Sequence, residues 1–245
     1  MKKRVLITGS NKGIGKKLVE KFAQKGFEIV ACARKKEKEF EEFLYNTSLQ
    51  YNVEIITSYF DMEDEQCLKE ELKRIVCEVK RIDVLINNAG YSTNSLFSMT
   101  SSKELKKAMQ INYISPIIIS QIISRTMVKN GGGCIINIAS VSGIKNEKGR
   151  LAYGSSKAAL IFASKTMSME LAKDNIRVNC ISPGFIDTDM WKNRNVELYN
   201  EVLSETPMGR QGKTDDIANI VLFLISDSSS YITGQNIIVD GGRMI

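Results

Sequence analysis

The sequence predicts an α/β protein built on a single doubly wound parallel sheet with helices on both faces. Three observations carry that expectation. Short apolar runs alternate with amphipathic stretches at helical spacing through the first two thirds of the chain. Such alternation gives repeated strand–helix–strand units, whose right-handed crossovers place helices on both sides of a parallel sheet. A glycine-rich turn separates the first apolar run from the first helical stretch. No linker, repeat or low-complexity tract interrupts the pattern, so residues 1–245 read as one domain, a length ordinary for this class.

Each element has its own signal. Arg4–Thr8 is an apolar run stopped by Gly9, as expected of a buried strand. Residues 13–25 place Ile14, Leu18, Val19 and Phe22 at helical spacing and stop at Gly26. Glu28–Ala33 is a second strand, followed by a charged amphipathic helix over 35–51 and a third strand over 54–60. In 63–79, Leu68, Leu72, Ile75 and Val79 share one helix face. A fourth strand over 83–86 is closed by Asn87-Asn88-Ala89-Gly90. Residues 102–129 are helical, in one or two segments, until Gly131, Gly132 and Gly133 break the run. A fifth strand covers 134–138, a long helix 152–173 and a sixth strand 177–181, with a turn at Pro183-Gly184. Thr214 has the chemistry of an N-cap for a helix reaching Ile225, with Asp215 and Asp216 in its first turn. Asn236–Val239 is the last strand. The least patterned stretch, 187–213, follows a strand end, where either a substrate lid or a merely packing insertion would sit.

Composition narrows the chemistry. The chain has no histidine, which excludes Ser-His-Asp and Cys-His catalysis and any His-ligated metal. Acid–base work is left to Tyr, Lys or carboxylates. Cys32, Cys67, Cys77, Cys134 and Cys180 are odd in number and widely spaced, without a Cys-x-x-Cys pair. That argues against a disulfide framework or a thiolate metal site and for a reducing, cytoplasmic compartment. The basic start Met1-Lys2-Lys3-Arg4 precedes an apolar run too short for a signal peptide. No apolar run approaches the ~18 residues of a membrane span. The net charge of +6 is scattered among both signs, so neither nucleic acid nor membrane is an expected partner. An anionic small molecule accounts for the excess equally well.

The turn Thr8-Gly9-Ser10-Asn11-Lys12-Gly13-Ile14-Gly15 offers glycines for a tight bend and close backbone approach to a ligand. The helix that follows points free N–H groups and its positive end at the same spot, where a pyrophosphate fits. Placed between a first strand and a first helix, this is the dinucleotide site of a Rossmann-type fold, with Gly-x-x-x-Gly-x-Gly spacing. An acid at the end of the second strand would hold the ribose hydroxyl of NAD, whereas an Arg accommodates the extra phosphate of NADP. This chain has Ala33-Arg34-Lys35-Lys36 there, and Lys12 in the glycine turn, so NADP(H) is expected over NAD(H).

Tyr153 and Lys157 stand four apart in a helical stretch and share one face. An ammonium beside a phenol favours the phenolate and makes the pair a proton donor and acceptor for a carbonyl/alcohol couple. By itself the spacing is common. In order along the chain, however, come the glycine turn, Asn87-Asn88-Ala89-Gly90, Asn112, Ser140, Tyr153 with Lys157, and Pro183-Gly184. As a set they resemble the classical short-chain dehydrogenase/reductase family over essentially the whole chain. Pro183 to Met190, Asp216-Ile217-Ala218-Asn219, Tyr231 to Gln235 and Val239-Asp240-Gly241-Gly242 look most like its 3-oxoacyl-[acyl-carrier-protein] reductases.

The resemblance implies roles. Tyr153 would be the general acid, Lys157 would lower its pKa and hold the nicotinamide ribose, and Ser140 would bond the substrate carbonyl. Asn112 would keep a water chain that reprotonates Tyr153 through Lys157. Gly9, Ser10, Asn11, Lys12, Gly13, Ile14 and Gly15 would cradle the pyrophosphate. Asp61 and Met62 would hold the adenine, Asn88, Ala89 and Gly90 would line the cofactor, Pro183 and Gly184 would help bind it, and Ile186 and Thr188 would lie by the carboxamide. A homotetramer built partly from the Tyr153 helix and the last segment is implied too, and Ala158 to Ala163 is apolar enough to serve as interface or core. Carrier-protein reductases usually place basic residues beside the site entrance; at two matching positions this chain has Gly131 and Asp174. Arg150 and the loop 91–99 also depart from that subfamily. The substrate is therefore expected to be a 3-oxoacyl thioester with or without its carrier protein, alternatively another carbonyl or alcohol such as a sugar, polyol or hydroxy acid. A nucleotide-binding protein without catalysis is the remaining class, and retention of the four catalytic positions argues against it.

Overall fold

A computed structural model of the protein describes residues 2–188 and 196–245. The strands are β1 (Arg4–Thr8), β2 (Glu28–Ala33), β3 (Ile55–Tyr59), β4 (Val84–Asn87), β5 (Gly133–Ile138), β6 (Ile176–Pro183) and β7 (Asn236–Val239). The helices are α1 (Gly13–Gln24), α2 (Lys38–Tyr51), α3 (Glu65–Val79), α4 (Ser102–Met109), α5 (Ser115–Lys129), α6 (Leu151–Leu171), α7 (Val196–Ser204) and α8 (Thr214–Ile225). The strands pair in parallel as a seven-stranded sheet of order β3-β2-β1-β4-β5-β6-β7.

Both faces of this sheet are buried, which is why its strands read as nearly continuous apolar runs. Successive side chains alternate between two cores. Val5 and Ile7 of β1, Val84 and Ile86 of β4, and Cys134 and Ile136 of β5 face one core; Leu6, Leu85 and Ile135 face the other. The first core is closed by Leu18, Val19 and Phe22 of α1, Phe40 and Leu44 of α2, and Ile217, Val221 and Leu224 of α8. The second is closed by Leu68, Leu72, Ile75 and Val79 of α3 with Ile119, Ile123 and Met127 of α5. These are the helical-spacing residues of the sequence, so amphipathicity decided which helix face turned inward. In α6 the apolar stretch divides: Leu160 is buried and Phe162 is exposed. Among the described residues no helix is long and apolar enough to cross a membrane.

Several expected boundaries move, each for a local reason. Residues 35–37 are not helical, because the chain stays extended to Glu37 (φ −130°) before α2 starts at Lys38. α3 begins at Glu65, since Asp64 caps it by accepting the Cys67 N–H at 3.0 Å. The turn expected at Pro183-Gly184 starts later, as Pro183 still pairs with Val239. The stretch 102–129 is one helical path in which a π-turn, Gln110–Ile114, joins α4 to α5. Thr214 is not the N-cap; Lys213 holds that extended position, and its N–H donates to the Asp216 carboxylate at 2.7 Å. The unpatterned stretch 187–213 contains α7. Its residues 189–195, including Asp189 and Met190 of the resemblance, lie outside the described residues. Cys67 and Cys77 are exposed on α3, whereas Cys32, Cys134 and Cys180 are buried.

β1 is hydrogen-bonded to β2 on one side and to β4 on the other. The chain order reverses at that point, and crossovers leave in opposite directions. The resulting crevice at the carboxyl ends of the strands is where a doubly wound sheet binds ligands.

Candidate active site

A cleft of about 590 Å³ opens at this switch point. Its floor begins with the glycine turn. Gly9 (φ +66°) and Gly13 (φ +53°) hold left-handed backbone, which glycine alone adopts without strain. A β-carbon on Gly9 would come within 2.9 Å of the Ala89 α-carbon, so the turn and the loop after β4 touch backbone to backbone. That loop buttresses the turn. The Asn88 amide donates to the Thr8 and Gly9 carbonyls at 2.9 and 3.1 Å, and the Thr8 hydroxyl accepts the Asn88 and Ala89 N–H groups, both at 3.0 Å. The turn leaves the N-terminus of α1 facing the cleft, a cradle that fits a pyrophosphate.

Asn11, Lys12, Gly13 and Ile14 line the cleft, but Ser10 and Gly15 do not. Ser10 is buried under the turn, its hydroxyl donating to the Ile7 carbonyl at 2.7 Å. Gly15 faces inward against the Gly9 carbonyl and the Asn88 amide. Both shape the cradle from behind. Gly15→Ala is therefore expected to cost about 1–3 kcal/mol in denaturant unfolding and to weaken dinucleotide binding in a fluorescence titration. Unchanged affinity would show that the close approach at this turn does not matter.

The ends of β2 and β3 bring Arg34, Lys35, Asp61 and Met62 to one end of the cleft. Among the described residues, Lys12, Arg34 and Lys35 have no ion pair, although Glu37 lines the same wall. At the other end stand Ser140, Tyr153 and Lys157. Ser140 ends the stretch after β5 and caps the 3-10 turn Val141–Gly143, its oxygen accepting the Ser142 N–H at 3.2 Å. Its own proton has no acceptor among the described residues and is available to a ligand. Tyr153 and Lys157 lie on one face of α6, with the lysine nitrogen 6.0 Å from the tyrosine ring centre. Lys157 is 3% exposed and donates to the Ile138 carbonyl at 2.8 Å. Burial pushes its ammonium down to about 8, against a small opposing pull from Cys180.

Asn112 is fully buried in the π-turn and does not line the cleft. Its Oδ1 accepts the Tyr91 N–H at 2.8 Å, and its Nδ2 donates to the Tyr91 carbonyl at 2.8 Å and the Ser156 hydroxyl at 2.9 Å. Both amide protons are spent, so the side chain is a clamp on the loop after Gly90. A π-turn at such a position is a common functional device. Gly90 separates it from the lysine: a β-carbon there would lie 3.4 Å from Asn112 Oδ1 and 3.6 Å from Lys157 Nζ. Ala89, Gly90, Pro183, Gly184, Ile186 and Thr188 complete the wall as expected from the motifs.

Lys107 and Ile111, which the sequence reading missed, also line the cleft, as do Tyr91 and Ser92 of the loop 91–99. Lys107 and Ile111 stand four apart, so a helical-face test could have paired them; the loop residues carry no periodic signal. Gly131 and Asp174, expected beside the site entrance, do not line the cleft. They adjoin the amino ends of β5 and β6, where the Gly133 N–H donates to the Asn175 carbonyl at 3.1 Å. The cleft is at the opposite ends of those strands, so within one chain neither position borders its entrance.

A dinucleotide cradle and a tyrosine–lysine pair at opposite ends of one cleft define an oxidoreductase that works with a nicotinamide dinucleotide. A family model described as Enoyl-(Acyl carrier protein) reductase matches residues 9–243. The chain belongs to the short-chain dehydrogenase/reductase family, whose members act on CH–OH or C=O groups. It is 37% identical over 243 residues to 3-oxoacyl-[acyl-carrier-protein] reductase FabG of Buchnera aphidicola, covering 98% of this chain and 97% of that one. A solved 7α-hydroxysteroid dehydrogenase complexed with NADH and 7-oxo glycochenodeoxycholic acid superposes with a TM-score of 0.92 at 33% identity, covering 98% and 93% of the two chains. YwfH, an NADPH-dependent reductase involved in bacilysin biosynthesis, superposes with a TM-score of 0.92 at 30% identity, covering 100% and 99%. Relatives of one fold thus use either dinucleotide, and the choice rests on local residues.

Proposed function

We propose that the protein is an NADPH-dependent reductase that turns a carbonyl into a hydroxyl, with a 3-oxoacyl thioester, free or carried by acyl-carrier protein, as its substrate. The observation that carries the chemistry is the nearly buried Lys157 beneath Tyr153, opposite a Ser140 hydroxyl whose proton is uncommitted. The bound dinucleotide supplies the hydride that reduces the carbonyl carbon. Ser140 and Tyr153 donate hydrogen bonds to the carbonyl oxygen and so stabilise the alkoxide-like charge. Tyr153 then gives its proton to that oxygen. Lys157, held by the Ile138 carbonyl, stabilises the phenolate left behind and orients the ribose. Asn112 acts by fixing the loop wall at Tyr91 rather than by touching substrate. The likeness to 3-oxoacyl-[acyl-carrier-protein] reductases supports the thioester. The departures at Arg150 and the loop 91–99 favour a second reading, another carbonyl or alcohol on the same machinery.

Arg34, Lys35 and Lys12, without acidic partners among the described residues, support the 2′-phosphate of NADPH. Arg34→Asp is expected to weaken NADPH binding by about 10–100-fold and to leave NADH within about threefold. Equal loss for both dinucleotides in fluorescence titration would place the phosphate elsewhere. A cytoplasmic homotetramer of single-domain chains fits this reading, with exposed Phe162 and Met169 of α6 offering apolar surface, and residues 187–213 as the substrate lid. The function is tested by NADPH oxidation with a short 3-ketoacyl thioester, NADH in parallel. NADPH-selective turnover is expected; tight NADPH binding without turnover would remove the thioester and turn attention to a panel of other carbonyls.

A further inference from the structure

A run of charged side chains in the loops after β5 and β7 leads to the catalytic end of the cleft. Arg150, the residue before α6, sets its guanidinium carbon 5.6 Å from the Tyr153 ring centre and is 11% exposed. Its Nη1 donates to the Ser92 hydroxyl at 3.0 Å and the Thr93 carbonyl at 3.3 Å, and Ser92 lines the cleft. The same loops meet again where the Ser95 N–H donates to the Gly149 carbonyl at 3.0 Å.

Glu147 is the node behind this wall. One carboxylate oxygen accepts the Ser142 hydroxyl at 2.8 Å, and the Ser142 N–H in turn donates to Ser140. That same oxygen stands 3.9 Å from Arg150 Nε, too far for a hydrogen bond. Its other oxygen is taken by Arg243 Nη1 at 2.9 Å. Arg243 follows β7, is 10% exposed, and also reaches Glu205 beyond α7 at 2.9 Å. Its backbone seat is set by the Met208 N–H, which donates to the Gly241 carbonyl at 3.1 Å, and by Gly241 (φ +67°), where a β-carbon would come 2.8 Å from Thr206.

Two guanidiniums therefore flank one half-buried carboxylate: Arg243 pairs with it at 2.9 Å, whereas Arg150 stands off at 3.9 Å. A carboxylate that loses its close partner in such surroundings recruits the nearest cation, because an uncompensated charge there is costly. We infer that Arg243 is a positioning residue: by occupying Glu147 it leaves Arg150, beside the Tyr153 ring, free to hold Ser92 and Thr93, and so keeps the substrate side of the cleft in shape. Without Arg243, Glu147 draws Arg150 into a bidentate pair and pulls it off the Ser92 wall. The dinucleotide cradle touches none of these groups.

The inference rests on the reductase reading for its kinetic test. Arg243→Met is expected to raise KM for the 3-ketoacyl thioester about tenfold, with kcat and NADPH affinity within about twofold. Arg243→Lys restores part of the loss. The decisive variant is Glu147→Gln combined with Arg243→Met: with no carboxylate to capture Arg150, KM returns toward wild type, so the second change repairs the first. Additive damage in the double variant, or kcat and NADPH affinity falling together with KM, would mean that the ion pair only holds the fold and would overturn the inference. If the wild-type protein reduces no carbonyl, the reductase reading fails separately. Amide exchange then decides: the Ser95 N–H exchanges faster in Arg243→Met and is protected again in the double variant, and unchanged protection in both overturns the inference.

Discussion

Tyr153→Phe is expected to cut carbonyl reduction by about 10²–10⁴-fold while leaving NADPH affinity within about twofold. The phenyl ring keeps its shape in the wall of the cleft, while the hydroxyl with its transferable proton is lost. In the proposed mechanism Ser140 would still donate one hydrogen bond to the carbonyl oxygen, so some stabilisation of the developing charge would survive. The loss should therefore fall on kcat rather than on binding, the mark of an interaction made in the transition state. Single-turnover rates with saturating dinucleotide, beside a fluorescence titration of NADPH, read the two effects apart. Wild-type turnover in this variant would remove Tyr153 from the mechanism.

Lys157→Met is expected to make the protein more stable while making it inactive. In the folded chain the ammonium is held at about 8, against 10.5 for an ordinary lysine, because burial disfavours its charge. At neutral pH that difference corresponds to about 3 kcal/mol against folding. The lost bond to the Ile138 carbonyl returns about 1 kcal/mol of it, so a gain of about 2 kcal/mol is expected near pH 7. The sign follows from proton counting: between about pH 8 and 10.5 the unfolded chain binds more protons at this site than the folded one. Wild-type stability from this group thus rises with pH through that window, and the advantage of the Met variant fades across it. Reduction should decline as pH rises through about 8, where Lys157 loses the charge that favours the phenolate. Denaturant unfolding at pH 7 and pH 10 without dinucleotide tests the first point. A Met variant less stable than wild type at pH 7 would show that the buried ammonium is not costly.

Such a cost is characteristic of a functional group placed where folding alone would put a methyl. The same conflict marks the Asn87–Asn137–Ser164 row across the sheet, where the Asn87 and Asn137 side chains bond at 2.8 Å and Asn137 donates to Ser164 at 2.7 Å. Among the described residues it leaves the buried Asn87 Oδ1 without a partner. Sequence patterning detects neither the strain nor the cost, because both depend on what surrounds a side chain.

Much of the architecture was legible because it obeys local rules. Apolar alternation placed every strand of the sheet within a residue or two. Helical spacing named the inward residues of α1 and α3. The glycine turn announced a cradle because left-handed positions such as those of Gly9 and Gly13 favour glycine. Boundaries slipped where a side chain within the first turn supplied the cap bond, as Asp216 does for the Lys213 N–H. The helix α7 went unseen in a stretch read by its lack of pattern.

By itself the sequence determined the class of fold, the glycine turn between β1 and α1, the spacing of the tyrosine–lysine pair and the cation at the end of the second strand. These depend on backbone conformation, periodicity and residue chemistry, which are properties of short segments. Only the tertiary structure decided that Ser10, Gly15 and Asn112 stand behind the cleft rather than in its wall, and that Gly131 and Asp174 lie at the far end of the strands. It alone brought Glu147 between Arg150 and Arg243. Contacts between residues nearly a hundred positions apart leave no local pattern, because they form only when crossovers carry distant loops to the same edge of the sheet.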